Sequence, residues 1–289
     1  ASQALQNKPV PTFIVDLDVA PELRWRNVTA YYKKLGVFPA ACYTSPFPKS
    51  SSPEMKILRA VEVDDEYMRE MKGIISDIGL PPRFVDKLLL MALGYELSGS
   101  PLASAVNSSL PPRGCSGLLA AMPNGTVVHG RDMDWYGHLV TNDGGTLYVP
   151  DVTIEVLFMR GGKPLYISVH WPGQIGVHTA MRFGGWSFEN NIRHSSWRSN
   201  FKYGMTQGSQ GYLLSVRKIM ETTPDFETAV KRLSGLNLMA PAYLIVAGPR
   251  PYQGAVITMD PGRVHRKSTP LVTRLSNGLN MLRHGQNYT

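Results

Sequence analysis

Cysteine is almost missing from this sequence: Cys42 and Cys115 are the only two among 289 residues. Two thiols without paired spacing exclude a disulfide framework and supply no zinc motif, so neither a metal nor a cofactor is expected. Long hydrophobic runs are missing too, and no stretch reaches the length of a membrane-spanning helix. The opening ASQALQNKPVPTF has no charged start followed by an apolar run, and the chain as given reads as soluble. Basic clusters are short: despite a formal net charge of +8, no run of Lys and Arg exceeds two. With no helix-turn-helix or comparable motif, nucleic acid is not an expected partner, and the charge suits an acidic lipid surface or simple solubility.

What is present is an ordinary globular composition, 43% hydrophobic and 18% charged, in a chain long enough to bury a full core. The pattern divides near residue 114. Before it come an extended FIVDLDV, a Pro- and Ser-rich linker at 46–54, a helical stretch over 55–78 and a second helix over 82–97. A flexible segment, 98–114, follows, of a kind that a protease or the chain itself can cut. After it the pattern turns to strands at 115–122, 126–134, 153–160, 164–170, 243–248 and 254–260. Helices are expected at 211–223 and 225–236, with Val230 and Leu233 on one face. Hairpins, helices and further strands in this order describe an α+β architecture with antiparallel sheets.

RGCSGLLAAMPNGTVVHGRDMDW, at 113–135, reads as a hairpin turning at PNG. With Asn124 and Gly125 as a two-residue loop, Cys115 falls opposite Asp134 on one face. A thiol beside a carboxylate is a poor core pair. Arg131 is the natural donor to that acid, yet three residues' separation sends the two to opposite faces unless Gly130 forms a bulge. From the hairpin alone, a core cysteine with an ion pair at its mouth is the plain reading. His129 reads as a satisfied strand histidine and Glu96 as a helix-end acid.

Several blocks in fixed order, PTFIVDLDVAPELRW (11–25), LLLMALGYE (88–96), GCSGLLA with HGRDMDW, APAYLIVAGP with GAVITMD (240–260), and GQNYT (285–289), resemble the N-acylethanolamine acid amidase and acid ceramidase family of N-terminal-nucleophile cysteine amidases. PELRW is worded more like the amidases. The resemblance covers most of the chain and implies a four-layer αββα fold preceded by a mainly helical subunit. It implies self-cleavage between Gly114 and Cys115, giving an α-subunit (1–114) that covers the site and a catalytic αββα β-subunit (115–289) that lacks the family's C-terminal end, the two held together. The new α-amine of Cys115 then serves as its base, with Asp134 orienting the amine. By match to the family's motif, Arg131 supports thiolate and carboxylate, and Asn287 donates to the oxyanion. Glu189, in WSFENN, stands about where the family has an acid near the substrate amide, with Asn190 and Asn191 as alternatives.

The implied partner is a lipid amide, either an N-acylethanolamine or, alternatively, ceramide, and the rival class is an inactive lipid-binding relative. The implied setting is lysosomal or secreted. Sequons at Asn27 and Asn107 fit secretory passage, as do those at Asn124 and Asn287. A peripheral membrane surface is a further expected partner, through the 84–97 helix and the Met-rich 55–78 stretch, unless both simply pack on the sheet.

Overall fold

The computed structural model describes residues 9–38, 49, 51–97, 114–134, 138–193, 195–279 and 281–284. Local capping explains where its helices begin and end. The stretch expected as one helix over 55–78 is two, because Asp64 caps a new start: its carboxylate accepts from the Glu66 N–H at 2.9 Å. In chain order the α-helices among the described residues are α1 (Arg26–Lys34), α2 (Pro53–Ala60), α3 (Asp65–Ile78), α4 (Val85–Ala92), α5 (Trp197–Gly204), α6 (Tyr212–Thr222), α7 (Phe226–Ser234) and the single turn α8 (Arg263–Arg266). Ser52 caps α2 and Asp225 caps α7 in the same way. Gly79, at φ 84°, ends α3 in the left-handed region that glycine enters freely.

The strands assemble an eight-stranded sheet of β1 (Thr12–Asp16), β6 (Ile154–Arg160), β7 (Lys163–His170), β8 (Thr179–Arg182), β9 (Ser187–Ile192), β10 (Ala242–Ala247), β11 (Gly254–Met259) and β12 (Leu271–Arg274), in that spatial order. Every pairing is antiparallel except β1 with β6. A three-stranded sheet places β2 (Gly114–Ala121) between β13 (Met281–His284) and β3 (Val127–Asp134). A small hairpin joins β4 (His138–Val140) to β5 (Thr146–Tyr148).

One face of the large sheet carries the main core, in which Val156, Phe158, Tyr166, Phe188, Leu244 and Ile257 meet α6, α7 and the N-terminal helices. Val230 and Leu233 both point into it. The 55–78 and 84–97 stretches also pack there, with Ile57, Met71, Ile75, Leu88 and Leu89 buried. Among the described residues no helix is long and apolar enough to cross a membrane. The other face of the large sheet receives the small sheet over β9 and β10. The α+β class with antiparallel sheets is therefore as expected. Among the described residues the layers run helices, large sheet, small sheet, and none of the described helices packs closely on the outside of the small sheet.

The N-terminal segment does more than cover the sheet, since β1 completes its edge. It is also tied in by a buried ionic cluster. Glu70 of α3, fully buried, accepts from Arg24 (2.9 Å), from the Trp25 indole (2.7 Å) and from both terminal nitrogens of Arg217 on α6 (2.5 and 2.7 Å). Arg217 in turn donates through Nε to Glu221 at 2.9 Å.

Candidate functional site

The β2–β3 hairpin turns through three residues, Pro123, Asn124 and Gly125, not two. Met122 donates to the Thr126 carbonyl at 2.8 Å, and Gly125 takes φ 84°, a left-handed position that suits glycine. The longer loop shifts the ladder by one residue. Cys115 faces Met133, Gly117 faces Arg131, and Asp134 falls opposite Gly114, so the expected opposition of Cys115 to Asp134 is corrected. The ladder is regular from Gly114↔Asp134 to Ala121↔Val127, and Gly130 forms no bulge. Because strand side chains alternate, this shift decides which residues enter the space between the sheets.

Cys115, Gly117 and Leu119 of β2 are buried there, and the inward side chains of β3, His129 and Arg131, are partly buried beside them. Arg131 sits diagonally across the ladder from Cys115, and its Nη2 lies 3.6 Å from the Cys115 Sγ. Its Nη1 donates to the His178 carbonyl at 2.9 Å and lies 3.8 Å from Glu189 Oε2. Glu189 rises from β9, fully buried, with Oε1 3.3 Å from His129 Nε2. His129 Nδ1 is 2.8 Å from the Ser187 hydroxyl. Both contacts are satisfied when Ser187 donates to Nδ1 and Nε2–H donates to the carboxylate, so His129 is indeed a paired strand histidine.

The pleat separates Glu189 from its neighbour. Glu189 shares a face with Cys115 and Arg131, whereas Asn190 turns to the helical side and donates to the Tyr212 hydroxyl at 3.3 Å. Asn191, also buried, returns to the Glu189 face. Asn287 lies outside the described residues, three residues beyond His284, which pairs with Gly117. The Asp134 side chain and Asn107 are likewise outside them, and Asn27 is exposed in the first turn of α1.

Gly117 is a site residue that the motif reading did not single out. A Cβ there would stand 2.0 Å from Glu189 Oε1 and 2.5 Å from Ile245 Cδ1, so only glycine leaves room for the buried carboxylate. Its position directly across from Arg131 in the corrected register was the available signal. Gly117→Ala is expected to destabilise the chain by about 1–3 kcal/mol through overpacking, read as a fall in Tm. Adding Glu189→Ala should recover part of that loss, since the two side chains compete for one volume.

Behind this cluster lies a second buried acid. Glu96 accepts from the Tyr212 N–H at 2.9 Å, at the start of α6, and burial pushes its carboxyl up to about 7. Burial holds His170 down at about 3, and pulls His178 well below its usual value with Arg131 adding to the effect. For Glu96 the folded value exceeds the unfolded one, so its ionisation costs stability as pH rises from about 4.5 to about 7. Glu96→Gln is therefore expected to be the more stable form above pH 7, by roughly 3 kcal/mol. That advantage should vanish on acidification, as followed by Tm against pH.

Among the described residues no group of His, Cys, Asp and Glu is arranged to hold a metal. The cluster therefore offers a thiol, a guanidinium, a buried carboxylate and backbone donors: a nucleophile with electrostatic support.

Comparison with known proteins places this geometry in context. The family model for the beta subunit of N-acylethanolamine-hydrolyzing acid amidase matches residues 8–40. The N-acylethanolamine-hydrolyzing acid amidase of Rattus norvegicus is 26% identical over 259 residues, covering 87% of this chain and 64% of that protein. Acid ceramidase of Mus musculus is 24% identical over 275 residues, with the same two coverages. The Caenorhabditis elegans amidase is 27% identical over 252 residues, covering 84% and 66%. A solved structure of a Caenorhabditis elegans ortholog of the amidase aligns with a TM-score of 0.49 at 25% identity, over 59% of this chain and 69% of that one. The chain thus spans a little under two thirds of the length of the rat and mouse relatives, and it is related to the acid amidases and acid ceramidases.

Proposed function

We propose that this relative of the acid amidases and ceramidases is an N-terminal-nucleophile cysteine amidase that cleaves itself before Cys115 and then hydrolyses N-acylethanolamines. The observation that carries the reading is the Arg131 guanidinium 3.6 Å from the Cys115 thiol, at the first turn-in of a strand whose start is the proposed cut. Once the Gly114–Cys115 bond is broken, Cys115 gains an α-amine within reach of its own sulfur. That amine takes the thiol proton, and no separate histidine is needed. His129 and His178 fit this division of labour, the first being engaged by Ser187 and Glu189, the second being held neutral by burial.

In the proposed reaction, thiolate attacks the amide carbonyl while Arg131 stabilises the anionic sulfur. Asn287 and backbone N–H groups hold the oxyanion, a class of donor worth about 3–4 kcal/mol of barrier. The amine then protonates the leaving nitrogen, ethanolamine departs, and water releases the fatty acid from the thioester. By its match to the family's motif, and no longer by register, Asp134 is assigned to orient the amine. Glu189 holds the guanidinium in place and meets the substrate amide from below. The segment before Cys115 remains bound as the second subunit, and the acidic setting of the named relatives makes a lysosomal or secreted location the matching one.

The test is product release. Incubated with N-palmitoylethanolamine and with ceramide at mildly acidic pH, the protein should release ethanolamine faster than sphingosine. Faster sphingosine release would reassign the head group, and release of neither product would remove the amidase reading.

A further inference from the structure

Two pairs of side chains, each two residues apart on its strand, face one another between the sheets: Ser187 and Glu189 of β9, and His129 and Arg131 of β3. Because a strand alternates its side chains, each pair shares a face. His129 spans the first pair, with Nδ1 2.8 Å from the Ser187 hydroxyl and Nε2 3.3 Å from Glu189 Oε1. Arg131, the next inward residue of β3, spans from the His178 carbonyl at 2.9 Å to the Cys115 sulfur at 3.6 Å.

A gap separates the two spans. Glu189 Oε2 stands 3.8 Å from Arg131 Nη1. A charge-assisted N–H···O bond closes to about 2.7–2.9 Å, and the Arg217–Glu70 pair of this same chain reaches 2.5 and 2.7 Å. Each side of the gap is short of a partner: Glu189 Oε2 and Arg131 Nε are buried with no hydrogen bond among the described residues. A buried charged group left short of hydrogen bonds is costly, so the two groups stay apart only because each is held from behind. The His178 carbonyl anchors the guanidinium. The carboxylate is anchored through Oε1, which His129 engages and which lies so close to Gly117 that a Cβ there would stand 2.0 Å away.

We propose that His129 is a positioning residue for the nucleophile: with Ser187 behind it, it holds the Glu189 carboxylate back from Arg131 and so leaves the guanidinium to the Cys115 sulfur. That Cys115 is the nucleophile rests on the amidase reading, whereas the restraint on Glu189 rests on the distances alone. At 3.8 Å the carboxylate attracts the guanidinium and keeps it in place without taking a hydrogen bond from it. Released from His129, Glu189 closes on Arg131, and the sulfur loses the cation beside it. A neighbouring cation acidifies a thiol, so this release makes Cys115 less acidic. His178, just before β8, and Tyr212 of α6 supply no cation in its place, since burial keeps the imidazole neutral and the phenol protonated.

The test is the pH dependence of Cys115 alkylation by iodoacetamide, followed by peptide mass so that Cys42 is counted separately. Folding of each variant is checked by circular dichroism. His129→Phe keeps a flat ring and removes both nitrogens, and it is expected to shift the profile about one pH unit alkaline, roughly a tenfold slower reaction on the acid limb. His129→Gln should stay close to the parent, because its amide can donate to Glu189 where Nε2 did. Adding Glu189→Gln to His129→Phe should restore the parental rate or exceed it, since no carboxylate remains to close on Arg131. An unchanged profile in His129→Phe would overturn the proposal. Equal slowing in His129→Gln, or no recovery in the double variant, would overturn it too, by making the loss one of packing. If His129→Phe does not fold, Ser187→Ala, which frees the ring behind Glu189, decides instead: a shift in the same direction supports the proposal and no shift overturns it. Alkylation needs no turnover, so a protein that hydrolyses no amide would refute the amidase reading alone and leave this test standing.

Discussion

Cys115→Ala is expected to abolish amide hydrolysis, with a loss on the order of 10⁶ in kcat, the scale seen when a nucleophile acting in a concerted unit is removed. The magnitude follows from the double role proposed for this residue. Its sulfur forms the thioester, and its α-amine, exposed only by cleavage, moves the proton. Alanine removes the first directly and the second by leaving the peptide bond intact. Cys115→Ser separates the roles, since a hydroxyl retains the geometry but is a far weaker nucleophile at its ordinary pKa. Slow residual cleavage with negligible turnover is the expected pattern. The check is hydrolysis of N-palmitoylethanolamine by purified variants, alongside denaturing mass measurement. Neither substitution should disturb the fold, because Cys115 fills a small buried site at the end of its strand.

The second large effect is on stability and lies away from the thiol. Arg217→Met is expected to destabilise the chain by about 3–5 kcal/mol, because it leaves the buried Glu70 and Glu221 carboxylates without their shared guanidinium. Glu70→Gln should approach the same loss, stripping Arg217 and Arg24 of their common acceptor. The pair Glu70→Leu with Arg217→Met should recover much of it, since well-packed apolar side chains often replace a buried ion pair at little cost. Denaturant unfolding of the three variants measures this directly.

The same cluster carries a pH signature. Burial alone would raise the Glu70 carboxyl, but Arg217 first, then Trp25 and Arg24, outweigh burial and hold it below the usual range. Its folded value is thus lower than its unfolded value, so its contribution is complete above the unfolded value and is lost only as pH falls through the lower one. The difference between parent and Arg217→Met should persist through mildly acidic pH. A tie of this kind suits a chain proposed to be cut in acid, because Arg24, Trp25 and Glu70 lie before the proposed cut and Arg217 and Glu221 after it.

Much of this was legible in the sequence, for local reasons. PNG announces a hairpin, alternation marks the strands, and the spacing of Val230 and Leu233 orients a helix that the structure packs as expected. What was not legible depends on counts and contacts at long range. A loop of three residues in place of two turns Asp134 from partner of Cys115 into partner of Gly114, and composition cannot fix that count. The choice between Glu189 and Asn190 is set by which face of β9 meets the small sheet. Glu70 and Arg217, 147 residues apart, carry no local signal of each other. The single helix expected over 55–78 failed for a local reason that could have been weighed: Asp64 is a strong cap, and Val61-Glu62-Val63 before it favours extended backbone.

The most direct test of the account is the denaturing mass of the unaltered protein after incubation at mildly acidic pH. Two polypeptides, the second beginning at Cys115, are the predicted result. A chain that stays whole at 32.0 kDa while hydrolysing fatty amides would contradict it, because the proposed base would then be bound up in a peptide bond.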